Sequence, residues 1–506
     1  MPKALAILGT ASDVGKSLVT AGLGRLLHQK GVNVAPFKSQ NMSLNSFVTL
    51  DGGEMGRAQV LQAHACGVLP HVDMNPILLK PEADHCSQVI VQGKVWGRHD
   101  AKEYFGCRPE LFRFVKLSFD RLAARYDVLL IEGAGSAAEI NLRDRDLVNW
   151  PVVEMADARV ILVADIDRGG VFAQILGTLD LLQPHERQRV MGVIINKFRG
   201  DQRLFDDGVQ ILEERGGVPV LGVLPFMRQL ELDQEDSVNV DHADSKPFSN
   251  DTVNVAVVLL PHMSNFTDFN PLAAEKDVAF QYIKSPEQLE GADVVILPGT
   301  KNTIGDLRYL LNVGFGEKIQ SYIREKNREL LGLCGGFQML GKMIVDPYQV
   351  EEGGEIQGLE ILDMWSELLP DKQTSQVTAQ PLFLSGIWDC EVRGYEIHMG
   401  LTHRSAGSPC FGIVQRRSGR DGESTSDGAV SSDGLVWGTY IHGVFDQPGF
   451  RRAWLNRIRQ RKRWPGLDVS VSQAVSGRLA VSLDRWAQHM EEHVQVQRIF
   501  SHLPIA

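Results

Sequence analysis

Two α/β domains built on doubly wound parallel sheets are what this sequence predicts, and three observations predict them. The chain runs to 506 residues, whereas a single core stops growing near roughly 250 to 300 residues, so two cores are expected. Short β-branched runs (ALAILG, DVLLIEGAG, RVILVADIDRGG, VMGVIINKF, PVLGVLP) end in glycine or acidic clusters and alternate with helical patterns, as strands buried on both faces of a parallel sheet do. The polar, aperiodic stretch SVNVDHADSKPFSN, residues 237–250, then gives way to a fresh strand pattern, VNVAVVLLP, which marks a boundary. The expected divisions are therefore a nucleotide-binding domain over 1–236, a linker over 237–250, a second α/β domain over 251–450 and a helical extension over 451–506.

Composition narrows the class. Acidic residues outnumber basic ones, 63 to 52, for a formal charge of -11, which opposes the phosphate attraction behind general nucleic-acid binding. No apolar run reaches the ~18 residues of a bilayer span, and MPKALAILGT passes straight from one lysine into a strand and a glycine motif, leaving no room for a signal peptide. A cytoplasmic protein is expected. Cys66, Cys86, Cys107, Cys334, Cys390 and Cys410 lie far apart without a C-x-x-C pair, so neither a zinc site nor a disulfide framework is indicated.

The first strand runs into Gly9-Thr10-Ala11-Ser12-Asp13-Val14-Gly15-Lys16-Ser17 and then the helical TAGLGRLLHQ, the context a phosphate loop requires. Loop N–H groups, including those of Gly9, Thr10, Ser12 and Gly15, would wrap the phosphates of ATP. Lys16 would neutralise the β and γ oxygens, and Ser17 would ligate Mg2+. Five residues separate the two glycines where the common motif has four, and the pattern resembles the variant loop of dethiobiotin synthetase-like proteins. Lys38, at the end of the next strand in APFKSQNMSLNS, reads as a second charge-stabilising group. Arg57, and Lys80 at the end of MNPILLK, are candidates for binding an anionic acceptor. Glu132 closes the strand VLLIEGAG, where a Mg2+ ligand belongs, with Gly133 and Gly135 allowing close backbone approach. Asp165 and Asp167 end another strand on that edge and are weaker candidates. Asn196, in VIINKF, fits either an adenine-facing residue or a simple turn.

In the second half, Gly332-Leu333-Cys334-Gly335-Gly336 lies between the apolar ELLGL and the helical FQMLGKM. This G-x-C-x-G pattern is that of a nucleophile elbow, a sharp strand-to-helix turn that exposes a thiol and favours its thiolate. Attack on a carboxamide builds an oxyanion. Gly335 N–H is one expected donor to it, and Gly299 or Thr300, in LPGT one strand earlier, the second. His442, in WGTYIHGVFD at the end of a late strand, is the expected base, with His398 in RGYEIHMG as its rival. Residues 417–434 (RSGRDGESTSDGAVSSDG) read as a polar excursion between strands. The tail, FRRAWLNRIRQ and LDRWAQHMEEHV, reads as helices packed on a sheet flank.

Taken together, GTASDVGKS, VAPFKSQNMSLNS, MNPILLKP, VADIDRGGVFAQILGT, LCGGFQMLG, GYEIHMG and YIHGVFD resemble the cobyric acid synthase family over nearly the whole chain. That resemblance implies a glutamine-dependent amide ligase of cobalamin biosynthesis, using ATP to amidate the b, d, e and g carboxylates of adenosylcobyrinic acid a,c-diamide. It also implies Cys334 as nucleophile, His442 as base, and Lys16, Ser17 and Glu132 at the nucleotide. Glutaminase relatives carry a Glu two residues after the His. Val444 stands there in this chain, so a Cys-His dyad is expected, or a third member from elsewhere such as Glu396 or Asp446. The a,c-diamide synthases and CTP synthase couple similar domains but fit MNPILLKP and GYEIHMG less well. A ParA-like ATPase switch leaves the Cys334 elbow without a purpose.

Overall fold

The computed structural model describes residues 3–83, 86–227, 230, 246–325, 327–383, 390–405, 407–417 and 425–503. Most of the expected linker, 237–245, and part of the polar excursion, 418–424, lie outside the described residues; the rest of the excursion enters the fold, with Ser426–Asp427 and Ala429–Val430 paired as strands.

The first half is built on a six-stranded sheet in the order Val220–Pro225, Val190–Phe198, Arg159–Asp165, Lys3–Gly9, Val128–Glu132, Val34–Phe37, with every pairing parallel. All five residues of Val128–Glu132 are buried, as expected where helices cover both faces. Register aligns Ile7 with Glu132, and Asp165 with Asn196. The carboxyl ends of the strands thus gather the phosphate loop, Glu132, Asp165 and Asn196 on one edge, where ligands bind in such folds. A mixed four-stranded sheet, Gln40–Met42, Ile77–Ala83, Cys86–Val91 and Lys94–Asp100, and the short hairpin Ser46–Val48 with Glu54–Gly56 extend this half. Neither is marked by the helix-strand alternation of the sequence.

The second half repeats the plan with Val278–Ile283, Val253–Val258, Val294–Leu297, Glu329–Leu333 and Val436–Thr439 in parallel, closed by the antiparallel Ala429–Val430. Leu297 pairs with Gly332, and Leu333 with Thr439, so Pro298-Gly299, Cys334 and Tyr440 leave the sheet side by side. A second, largely antiparallel sheet is dominated by the long strands Met364–Pro381 and Val392–Arg404. The expected single strand through VWGTYIHG divides at Tyr440: Val436–Thr439 stays in the parallel sheet, while Ile441–His442 pairs with Tyr395 and Glu396 in the antiparallel one.

The tail also divides. Helix Pro448–Arg461 buries Phe450, Trp454, Leu455 and Ile458 against the second half. Helix Val475–His493 crosses back to the first half, where Trp486 and Met490 join Leu23 and Leu26 of the phosphate-loop helix Lys16–Gln29 in one core. Gly22 permits that contact, since a Cβ there would lie 2.1 Å from Met490 Sδ.

Candidate active site

The elbow is a strained turn. Cys334 has φ 51° and ψ -109°, a region that side-chain-bearing residues rarely adopt and that functional sites retain. The flanking glycines are required: a Cβ on Gly336 would lie 2.1 Å from Leu297 O, and one on Gly332 2.5 Å from Gly336 O. His442 and Cys334 line the same small cavity, and the Cys334 thiol donates to Ile397 O at 3.7 Å. His442 Nδ1 lies 2.6 Å from Asp268 Oδ2, while Gly443 N–H donates to the other oxygen at 3.0 Å. The carboxylate that holds His442 is thus neither Glu396 nor Asp446, the expected candidates, but Asp268, on the short turn Phe266–Phe269. Glu396 is engaged instead by Arg416 and Ser375. Burial pushes the His442 imidazolium down, but the Asp268 carboxylate and the Cys334 sulfur outweigh it and raise its pKa to about 10. His398, the rival base, stacks on Tyr440 and points Nδ1 at Gly400 O at 2.7 Å, and its pKa is lowered chiefly by burial.

Peptide orientation separates the two candidates for second oxyanion donor. Pro298 C=O accepts from Gly336 N–H at 3.1 Å, and Gly299 C=O accepts from Ser264 N–H at 2.8 Å. In a planar trans peptide the N–H points opposite to its own C=O. Gly299 N–H is thus directed away from Gly336, and Thr300 N–H away from Ser264; Thr300 N lies 3.3 Å from the position a Gly335 Cβ would take. Thr300 fits the role better than Gly299, whose bare Cα instead leaves space beside His442 Cε1 and Cys334 Cβ, 3.2 and 3.6 Å from where a side chain would begin. A cavity of about 50 Å3 adjoins these groups, with Thr303, Gln338 and Glu351 on one side and Lys80 and Lys372 on another.

At the other centre, Lys16 folds back over its loop to donate to Ala11 O (3.1 Å) and Gly135 O (3.0 Å). Gly9 makes room for it, as a Cβ there would lie 2.9 Å from Lys16 Nζ. Gly15 takes φ 98° at the helix start, and Asn196 Nδ2 ties the loop by donating to Val14 O at 2.9 Å. Thr10 joins the neighbouring strand through its N–H to Val163 O, and Ser12 is exposed. Glu132 is fully buried and accepts from Ser17 Oγ (2.8 Å), Lys38 Nζ (3.0 Å) and the Gln62 amide. Asp165 and Asp167 are in ion pairs with Lys197 and Arg199. Arg57 lies over the Phe47 ring.

The donor set suits a hard cation. Ser17 Oγ and Glu132 oxygens adjoin each other, and Gln62 Oε1 is buried with no hydrogen-bond partner among the described residues, all oxygen ligands of the kind Mg2+ takes. No group of three or more His, Cys, Asp or Glu side chains suited to a metal occurs among the described residues. A cation here would complete its shell from phosphate and water.

Asp268 and the interface contacts carry no signal in the sequence that periodicity detects. The turn PHMSNFTDFN is irregular, and only its place after a buried strand, where α/β sites collect acids, points to it.

The family model described as a CobQ/CobB/MinD/ParA nucleotide binding domain matches residues 5–240, and that of a CobB/CobQ-like glutamine amidotransferase domain matches 254–450. A protein named cobyric acid synthase from Syntrophobacter fumaroxidans is 48% identical over 505 residues, covering 98% of this chain and 97% of its own length. One of the same name from Klebsiella pneumoniae is 49% identical over 507 residues, covering 99% and 98%. A third, from Yersinia enterocolitica, is 47% identical over 506 residues, with 99% and 98% covered.

Proposed function

This chain belongs to the cobyric acid synthase family, and from that premise we propose that Cys334, His442 and Asp268 release ammonia from glutamine, while the phosphate-loop half uses ATP to activate carboxylates of a corrinoid. The acceptor is adenosylcobyrinic acid a,c-diamide, amidated at its b, d, e and g side chains, as the family implies. We place the nucleotide and acceptor chemistry in residues 1–236 and glutamine hydrolysis in 251–450. The reading is carried above all by the Asp268–His442 hydrogen bond beside Cys334 on its strained elbow, held against the half that bears the phosphate loop.

Cys334, as thiolate, attacks the glutamine amide carbon. Gly335 and Thr300 N–H stabilise the oxyanion, and the His442 imidazolium protonates the departing nitrogen, leaving ammonia and a thioester. His442 then takes a proton from the water that hydrolyses the thioester to glutamate. Asp268 fixes the imidazole and supports its charge. In the other half the carboxylate attacks the γ-phosphorus of ATP, ADP leaves, and the acyl phosphate is displaced by ammonia with loss of phosphate. Without that step a carboxylate resists ammonia. Lys16 and Lys38 would counter the charge on the transferring phosphoryl group. Ser17 and Glu132 would hold Mg2+, which when bound neutralises phosphate oxygens. No helix among the described residues is long and apolar enough to cross a membrane. No disulfide joins the described cysteines, and the compartment we propose is the reducing cytoplasm.

The test compares parent and Cys334→Ala with the corrinoid diamide, following products by mass. Glutamine-dependent amidation should fall by about 10^4-fold or more, while ammonia-driven amidation continues up to four steps. A corrinoid that gains no amide from either nitrogen source would overturn the acceptor assignment.

A further inference from the structure

His398, the imidazole that does not serve as base, lines the same cavity as the nucleophile. The sheets fix where it stands. Leu297 flanks the elbow strand on one side and Thr439 on the other, and Ile441–His442 then pairs with Tyr395 and Glu396 of strand Val392–Arg404. That strand therefore passes the elbow on the flank opposite Thr300, close enough for Cys334 Sγ to reach Ile397 O at 3.7 Å. A glutamine carboxamide on Cys334, its oxygen toward the Gly335 and Thr300 N–H groups, turns its nitrogen to this second flank.

The two N–H groups of that nitrogen need acceptors if they are not to be buried unpaired. Much of the cavity wall has none to offer. Lys80, Lys301 and Lys372 donate to carboxylates of the other half. Glu351 accepts from Thr303 and from Ile304 N–H, and Gln338 gives its amide to Tyr440. Beside the sulfur on this flank stand Ile397 C=O and the His398 ring.

The ring is set as an acceptor. Its Nδ1 lies 2.7 Å from Gly400 O, and because a carbonyl oxygen only accepts, Nδ1 carries the hydrogen and Nε2 the lone pair. Nε2 makes no hydrogen bond among the described residues. Tyr440 stacks on the ring with centroids 3.8 Å apart, and is itself tied through its hydroxyl to Gln338 and Thr402. Burial first, then the His442 and Arg416 charges, keep the imidazole neutral against the pull of Glu396.

We propose that His398 Nε2 accepts a hydrogen bond from the carboxamide N–H of bound glutamine, selecting the amide and orienting its nitrogen as leaving group. The proposal rests on the glutaminase reading above and adds a residue to it. A nitrogen whose hydrogen is held by His398 can turn its lone pair to His442, the orientation in which it is protonated and leaves. No proton passes through His398.

The test compares substrates that differ at the leaving atom: glutamine, and the γ-methyl ester of glutamate, which has no N–H there. Glutamate release from each is measured with the parent and with His398→Asn, counting only the ester hydrolysis that Cys334→Ala abolishes. Asparagine can still donate to Gly400 O but has no atom at the Nε2 position. For glutamine kcat/KM should fall about 10- to 100-fold, and for the ester it should stay within about threefold. His398→Gln, which can place its amide oxygen near the Nε2 position, should recover most of the loss. Equal losses with both substrates would mean that the ring only packs against Tyr440 and would overturn the proposal, as would an unchanged rate with glutamine. Where His398→Asn does not fold, His398→Phe, which keeps the stack on Tyr440, gives the same comparison. A parent that releases no glutamate from glutamine would instead sink the glutaminase reading itself.

Discussion

The two centres sit at the same place on the same kind of sheet, just past a carboxyl strand end at a glycine turn, yet they are held together by opposite means. At Cys334 the interactions are internal: a strained backbone presents the sulfur, His442 shares its cavity, and Asp268 grips the imidazole at 2.6 Å. At the phosphate loop the cations rest on exchangeable partners, Lys16 on two carbonyls and Lys38 on Glu132. The difference teaches what each ligand demands. A nucleophile has to be oriented before its amide arrives, since misorientation enters the barrier directly. A phosphate brings charge strong enough to displace neutral carbonyls, so its cations need only be held nearby.

The sharpest test of this contrast is Lys16→Ala. Amidation should fall about 10^3- to 10^4-fold with either nitrogen source, while glutamate release from glutamine, assayed alone, stays within about threefold. Equal loss of both activities would mean that the centres are not separately held.

Next in size is Asp268→Asn. Turnover of glutamine should drop by about 10^2- to 10^3-fold, with ammonia-driven amidation kept. The pH profile identifies the cause. The imidazolium partner of the thiolate is present below the His442 pKa and is lost as pH rises through it, so the alkaline limb of the parent lies near pH 10. Removing Asp268 removes a raising influence and leaves burial, which lowers, so the limb should move to lower pH. An unmoved limb would assign Asp268 a packing role only.

The unequal legibility of the two centres in the sequence has a related origin. Cys334, Lys16 and Ser17 sit in glycine turns whose spacing is dictated by sterics, and sterics leave a local mark. The parallel strands are legible for the same reason, through apolar runs that both covered faces require. Asp268 leaves no such mark. Its partner His442 lies 174 positions along the chain, and the turn that carries it is held by Asn45 of the other half through Thr267 at 3.1 Å. The hairpin of Ser46 and Gly56 and the return of helix Val475–His493 are equally products of tertiary contact. In the tail, periodicity identifies a helix and its apolar face but not which sheet covers that face.

The contact between the halves offers the third prediction. Glu54 stands between Lys80 and Lys372, the latter from the glutaminase half, at 2.8 and 2.5 Å. Burial alone would raise the Glu54 pKa, but the two ammonium groups hold it well below the usual carboxylate range. Burial also pushes the Lys372 pKa down, to about 7. Glu54→Gln leaves two buried amines without their counter-charge and should destabilise the protein by about 3 kcal/mol at neutral pH, read in denaturant unfolding. An acid with a depressed folded pKa stabilises above its unfolded pKa and loses that contribution as pH falls. The gap between parent and variant should therefore narrow in acid, and a gap that does not change with pH would exclude the carboxylate charge as its source.

The smallest expected effect tests whether the phosphate loop depends on the returning helix. Trp486 donates from its indole to Leu18 O at 2.6 Å, in the first turn of the phosphate-loop helix, and its ring packs over Gly22. Trp486→Phe keeps most of the apolar contact and removes the donor. The loss should be about 1 kcal/mol of stability, the net worth of one such hydrogen bond. If the helix contributes to the placement of Lys16 and Ser17, ATP affinity should weaken by about two- to threefold as well, since roughly 0.5 kcal/mol of misplacement has that effect. Glutamine hydrolysis should not change, because the residue touches nothing on that side. A stability loss without any change in ATP affinity would mean that the helix only covers the sheet, and that the loop is placed by its own glycines and by Asn196.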